Sequence, residues 1–153
     1  MDFVDQIKAK ILRKIYRYWR GKCREGALPS RADLDPTEIL PALLPHVFLV
    51  DVVDGGRDFR YRLVGTHIVE SVGFEYTGRL VSEFMRGREE EMQARDYHRL
   101  VESREPQHVI CNMVAFGRDY MRFERVVCPL SSDGEAIDMI FGGLCFQLER
   151  EQD

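Results

Sequence analysis

Ala136-Ile137-Asp138-Met139-Ile140-Phe141-Gly142-Gly143-Leu144-Cys145-Phe146-Gln147-Leu148 decides the fold. From Met139 onward it is apolar at odd and even positions alike, the pattern of a strand covered on both faces and therefore central in its sheet. Two neighbours precede it. Val109–Val114 and Tyr120–Leu130 also follow a period of two, and turn signals at Phe116-Gly117-Arg118-Asp119 and Ser131-Ser132-Asp133-Gly134 separate the three strands. Upstream, His46–Val53 and the alternating Phe59-Arg60-Tyr61-Arg62-Leu63 flank Asp54-Gly55-Gly56, which predicts a hairpin with Phe59, Tyr61 and Leu63 on its buried face. Gly142-Gly143 inside the last strand predicts a bulge, or a close approach of backbone or ligand.

Between hairpin and meander the pattern turns helical. Thr66 is placed to cap a short helix over Ile68–Val72, which Gly73 ends, and Thr77–Met85 suits another turn or two around Gly78. Glu89–Ser103 is the longest helix expected here, with Met92, Arg95/Asp96, Arg99/Leu100 and Ser103 at helical spacing. At the start, residues 3–19 predict one amphipathic helix: Val4, Ile7, Ile11, Ile15 and Tyr18 form a stripe that Phe3, Leu12 and Trp19 widen. Gly21 and the Gly26–Pro29 stretch stop it. Asp35 then caps a short turn with Pro36 at its first position, and Pro41 and Pro45 bracket the next turns. The fold class is α+β: a five-stranded antiparallel sheet with short helices between strands 2 and 3, plus the N-terminal helix. Residues 1–27 are expected to form that helix and a linker, and 28–150 the domain.

Together these features resemble a PAS domain from about His46 to Leu148, and in detail a small bacterial family of stand-alone PAS proteins. The residues that carry the likeness are Leu28-Pro29-x-Arg31-x-Asp33-Leu34-Asp35-Pro36, Leu43-Leu44-Pro45 and Tyr61-Arg62-Leu63-Val64-Gly65-Thr66. Gly73 with Thr77-Gly78-Arg79, and Pro129-Leu130-x-x-Asp133-Gly134, complete the set. The resemblance implies a sensory or protein-interaction module in signal transduction, often dimeric through an N-terminal helix, and not an enzyme.

The 153 residues make one domain with 44% hydrophobic and 31% charged side chains, close to a soluble globular average. The net charge of −4 is unevenly spread: residues 1–31 carry +6 and the remainder −10. A basic arm on an acidic body suits a protein partner, or less readily an anionic membrane surface, but not a nucleic acid, whose phosphates need a continuous positive face. The N-terminus alternates charge where a signal peptide would be apolar. Cys23, Cys111, Cys128 and Cys145 have no C-x-x-C spacing and no His at finger spacing, so no metal site is expected, and four reduced thiols fit a cytoplasmic protein. The chain carries no kinase, cyclase or DNA-binding segment, so a signal is expected to pass by association, as a homodimer or with a signalling partner. The docking surface would be Val4, Ile7, Ile11, Ile15, Tyr18 and Trp19.

Catalytic signatures are missing: there is no G-x-S-x-G, P-loop, Gly-rich dinucleotide turn or H-E-x-x-H. The sequence names no cofactor. Tyr61, Leu63, Val69, Phe74, Met92, Ile110, Met139 and Phe141 are expected between sheet and helices, either as filled core or as the lining of a small-ligand pocket. His98 stands on the long helix, where some PAS sensors hold haem, or is simply a helix residue between Tyr97 and Arg99. A flavin photosensor of this class would need its cysteine in a helix turn, and Cys111 precedes Asn112 in a strand. Arg62, Arg122 and Glu124 are expected on the opposite strand face, in ion pairs or docking the first helix. The competing reading is a small α+β enzyme, an isomerase or hydratase with a cone-shaped pocket, using Tyr61 with Asp96 or His98 as its acid/base pair.

Overall fold

The computed structural model describes residues 2–113 and 118–148. Five strands form one antiparallel sheet: β1 (Val47–Val53), β2 (Asp58–Val64), β3 (Gln107–Met113), β4 (Arg118–Leu130) and β5 (Met139–Leu148). Their order is β2-β1-β5-β4-β3, so β5 is central as its two-sided apolar pattern requires. The expected Val109–Val114 strand and Phe116–Asp119 turn fall partly on residues 114–117, outside the described residues.

Parity divides β5 between two cores. Ile140, Leu144 and Phe146 face the mid-chain helices, whereas Met139, Phe141 and Cys145 face the N-terminal segment. Met139 and Phe141 therefore do not lie between sheet and mid-chain helices as expected. Nor do Gly142 and Gly143 form a bulge, because both pair in unbroken register with β1 and β4. They are small because both faces are crowded. A Cβ on Gly142 would run into the Phe48 ring and lie 2.7 Å from the Val126 carbonyl oxygen, and one on Gly143 would lie 2.8 Å from Leu12 Cδ2.

The N-terminal stretch is broken where one helix was expected: α1 spans Phe3–Gln6 and α2 spans Lys10–Lys22. Ile7 and Ala9 are extended, at ψ 119° and 126°. No glycine or proline causes the break. The Lys8 and Ala9 amides leave the helical ladder to donate to the two Glu124 carboxylate oxygens, at 2.7 and 2.8 Å. Arg13 Nη1 donates to the freed Ile7 and Lys8 carbonyls, at 2.9 and 3.1 Å. Helix α2 lies on the sheet through Leu12, Ile15 and Trp19, and Trp19 Nε1 donates to the Pro129 carbonyl at 3.0 Å. Three side chains of that size contribute roughly 5–9 kcal/mol on burial, ample to keep a basic helix on the sheet. The stripe assigned to a docking surface is thus largely used internally. Ile7, Ile15 and Trp19 are buried, while Val4, Ile11 and Tyr18 are half-buried.

The hairpin forms with one correction. Val50 opposes Tyr61 but Leu49 opposes Leu63, so Arg62 is an extra residue and the alternation reverses beyond it. Phe59 and Tyr61 are buried as expected, but Leu63 is 39% exposed, and Val64 takes the inner side. Three helices follow: α3 (Thr66–Val72), α4 (Val81–Phe84) and α5 (Gly87–Ser103). Thr66 is the first residue of α3 and not its cap; Gly65 precedes the helix, and Gly73 ends it at φ 98°. Leu100 faces inward on α5 as the expected stripe places it, but Gln93 and Tyr97 accompany it in place of Met92 and Arg95. None of the described helices is long and apolar enough to cross a membrane.

Candidate functional site

Between the even face of β5 and helices α3–α5 lies a cavity of about 70 Å³. Its walls are mainly aromatic, from Phe48, Phe74, Tyr76, Phe84, Phe123 and Phe146. Tyr76 stacks edge-on against Tyr61 at 4.8 Å and Phe84 packs on Tyr76 at 5.0 Å, which fixes the rings in place. Phe74, also in the lining, is 43% exposed. The lining also holds a polar group of four: Tyr61, Gln93, Tyr97 and Arg125.

Each member is held by the others. The Tyr61 and Tyr97 hydroxyls are 2.7 Å apart, and the Gln93 amide donates to both. Arg125, whose side chain is 7% exposed, donates through Nη1 to Gln93 Oε1 and through Nη2 to Asp96 Oδ2 at 2.7 Å. Its guanidinium lies 5.7 Å from the centre of the Tyr97 ring and 5.9 Å from that of Phe123. Burial pushes the Tyr61 pKa up against the opposing pull of Tyr97 and Arg125, and lifts those of Tyr97 and Tyr76 well above the ordinary phenol value. The phenols are therefore neutral near pH 7, available as hydrogen-bonding groups and not as bases.

Some donors of this group have no partner among the described residues. Arg125 Nε is buried and has no partner among the described residues. Tyr61 and Tyr97 together carry two hydroxyl protons, and the bond between them uses one, so the other points elsewhere. A buried unpaired N–H costs roughly 1–3 kcal/mol, so a group that accepts from it gains about that much.

The expected site residues divide accordingly. Tyr61 and Phe74 line the cavity. Val69 and Met92 are half-buried but outside its lining, Leu63 and Ile110 are exposed at the surface, and Met139 and Phe141 face α2, with the Phe141 ring 6.2 Å from Tyr18. His98 does not reach the cavity: its Nε2 contacts the Gly56 carbonyl oxygen, and the ring borders an open surface cleft with Glu91, Arg95 and Glu102. His98 is thus not part of the cavity lining, and the described partners of the Tyr61 hydroxyl are Tyr97 and Gln93, not His98 or Asp96. Cys111 lies in β3 as expected. Gln93, Tyr97 and Arg125 escaped the sequence reading. The signal was there in β4, where Phe123, Arg125 and Val127 share the face opposite Glu124 and Val126.

On that opposite face, Glu124 accepts from Lys8 and Ala9 and sits 2.6 Å from His108 Nε2. Burial alone would raise its pKa, but the Lys8 amide, His108 and the Ala9 amide together hold the carboxyl below its ordinary value. Of the two alternatives expected for this face, Glu124 takes the docking of the N-terminal segment and Arg62 the cross-strand ion pair, with Asp51 at 2.8 Å. Consecutive residues of β4 therefore touch the cavity and the N-terminal segment.

A family model described as PAS domain matches residues 7–145. No curated protein matches. Among solved structures, the PAS domain of BvgS from Bordetella pertussis is 18% identical over 78% of this chain and 91% of that one, with a TM-score of 0.49. A Rhodobacter sphaeroides LOV protein is 14% identical over 66% of this chain and 59% of that chain, with a TM-score of 0.47. The RsLOV d2 variant is 14% identical over 92% and 68%, also at 0.47. The chain spans less than two thirds of the length of the first of these LOV structures.

Proposed function

The chain belongs to the PAS domain family, and from that premise we propose that it is a non-catalytic sensory module whose inner cavity takes a small molecule. The observation that carries the reading is the buried Arg125 Nε–H, which has no partner among the described residues and belongs to a side chain that lines the aromatic cavity. The occupant is a compact, mostly apolar molecule with one hydrogen-bond-accepting oxygen. Asp96 already offsets the guanidinium charge, so a neutral carbonyl suits the site and a full negative charge is not required. The cavity of about 70 Å³ is below the roughly 150 Å³ known to admit benzene, so haem and flavin do not fit it.

Binding would be relayed through β4. An acceptor on Arg125 shifts a side chain whose neighbour, Glu124, anchors the break between α1 and α2. The output is a change in how that segment sits on the sheet, sensed by a protein partner in the cytoplasm. The exposed face of α2 carries Lys10, Lys14, Arg17 and Arg20, so the partner surface is acidic. Native mass spectrometry of freshly purified protein, beside a denatured control, tests the reading. An added mass that denaturation releases, and that Arg125→Met abolishes, is expected. A clean apo mass with no small carbonyl compound able to bind would sink it.

A further inference from the structure

We propose that His46, His67 and Cys145 form a binding site for a borderline-soft transition-metal ion, Zn²⁺ in the simplest case, at the corner where the chain enters β1 and α3 and passes along β5. One ligand atom from each lies within 4.8 Å of the others, and all three residues are half-buried. They come from three distant parts of the chain, which is why cysteine and histidine spacing gave no sign of them. A tetrahedral Zn²⁺ with bonds of about 2.0–2.3 Å needs its ligand atoms roughly 3.3–3.8 Å apart. Closing the set thus takes about one ångström, a side-chain adjustment.

The surroundings favour ligation over a chance meeting. His46 Nδ1 is 3.1 Å from the Leu144 carbonyl oxygen, so a ring donating there keeps its Nε2 lone pair free. That backbone contact is the support that orients ligating histidines in metal sites. His67 Nε2 accepts from the Phe146 amide at 3.3 Å, a long bond that a metal at the same lone pair would replace. Both backbone groups are open because β1 stops pairing with β5 at Val47 opposite Gly143. The two rings lie 4.1 Å apart. Capping the free edge of β5 accounts for the two histidines but not for the thiol beside them.

An ordinary thiol is mostly protonated near pH 7. Binding therefore replaces S–H by S–Zn and releases one proton to solvent, with no change of oxidation state. Two nitrogens and one sulfur select Zn²⁺, Co²⁺ or copper over Mg²⁺ and Ca²⁺. A water completes the fourth position. This site is separate from the cavity and does not depend on the sensory reading.

The test is titration of the metal-free full chain with Zn²⁺ by calorimetry and with Co²⁺ by absorbance. One equivalent is expected to bind, with a sulfur-to-cobalt charge-transfer band in the near ultraviolet. Cys145→Ser should abolish the band, and His46→Gln or His67→Gln should weaken binding at least tenfold. Cys23→Ser and Cys111→Ser should leave both unchanged. Against misfolded variants, the wild-type protein supplies its own control: Zn²⁺ should protect Cys145 from alkylation, read by peptide mass, while Mg²⁺ does not. Absence of stoichiometric binding, a band that survives Cys145→Ser, or Zn²⁺ protection of another cysteine in place of Cys145 would overturn the proposal.

Discussion

Replacing Glu124 tests whether one carboxylate fixes the N-terminal segment. In Glu124→Ala the Lys8 and Ala9 amides lose acceptors at 2.7 and 2.8 Å, and His108 loses its partner. Hydrogen bonds to a charged group contribute about 1.5–3 kcal/mol each. Water can reach the freed amides once the segment lifts, so the expected loss is about 2–4 kcal/mol, short of the sum. Glu124→Gln keeps one acceptor oxygen and turns an NH₂ toward the other amide, and about 1.5–3 kcal/mol is expected. For a chain of 153 residues, each kcal/mol moves Tm by roughly 2–4 °C.

The sign with pH follows from the depressed Glu124 pKa. The stabilisation is complete above the unfolded value of 4.5 and is lost as pH falls from there through the lower folded value. Urea unfolding gives the global loss, and amide hydrogen exchange locates it. Lys8 and Ala9 should lose protection in both variants and at low pH, before the β5 amides do. A loss under about 0.5 kcal/mol with Lys8 and Ala9 still protected would refute the reasoning.

Gly142→Ala should be far worse than Gly143→Ala, because its Cβ meets the Val126 carbonyl oxygen at 2.7 Å, whereas Gly143 meets only the ends of Leu12 and Ile15. Comparative urea midpoints decide this, with equal losses counting against it. Trp19→Phe keeps an aromatic ring but strands the Pro129 carbonyl, and should cost about 2–3 kcal/mol, measurable in the same assay. Tyr97→Phe removes a hydroxyl that bonds Tyr61 and Gln93, and should cost about 1–2 kcal/mol with the β-sheet signature in circular dichroism unchanged.

Elements with one apolar face were legible. The hairpin and the order of helices and strands followed from period and turn chemistry alone. Central β5 was recognised because it is apolar on both faces, and for the same reason its parity was not: Met139 and Ile140 look alike in sequence, yet face different cores. Leu63 turns outward because of a bulge at Arg62 that only pairing with β1 reveals. The break at Ile7–Ala9 has no local cause, since its acceptor, Glu124, is more than a hundred residues away. Arg125 illustrates the limit most clearly. An arginine in an alternating strand normally marks the solvent face, and its burial is tolerated here because Asp96 and Gln93 on α5 pair with it.

The most direct measurement is the ¹H–¹⁵N resonance of the Arg125 Nε–H, assigned by its disappearance in Arg125→Lys, during titration with short-chain ketones, amides and carboxylates. The account predicts a saturable downfield shift with at least one acceptor-bearing compound, and none with an alkane of the same size. A resonance that no compound moves, or that moves equally with the alkane, would contradict the claim that this cavity recognises an acceptor oxygen.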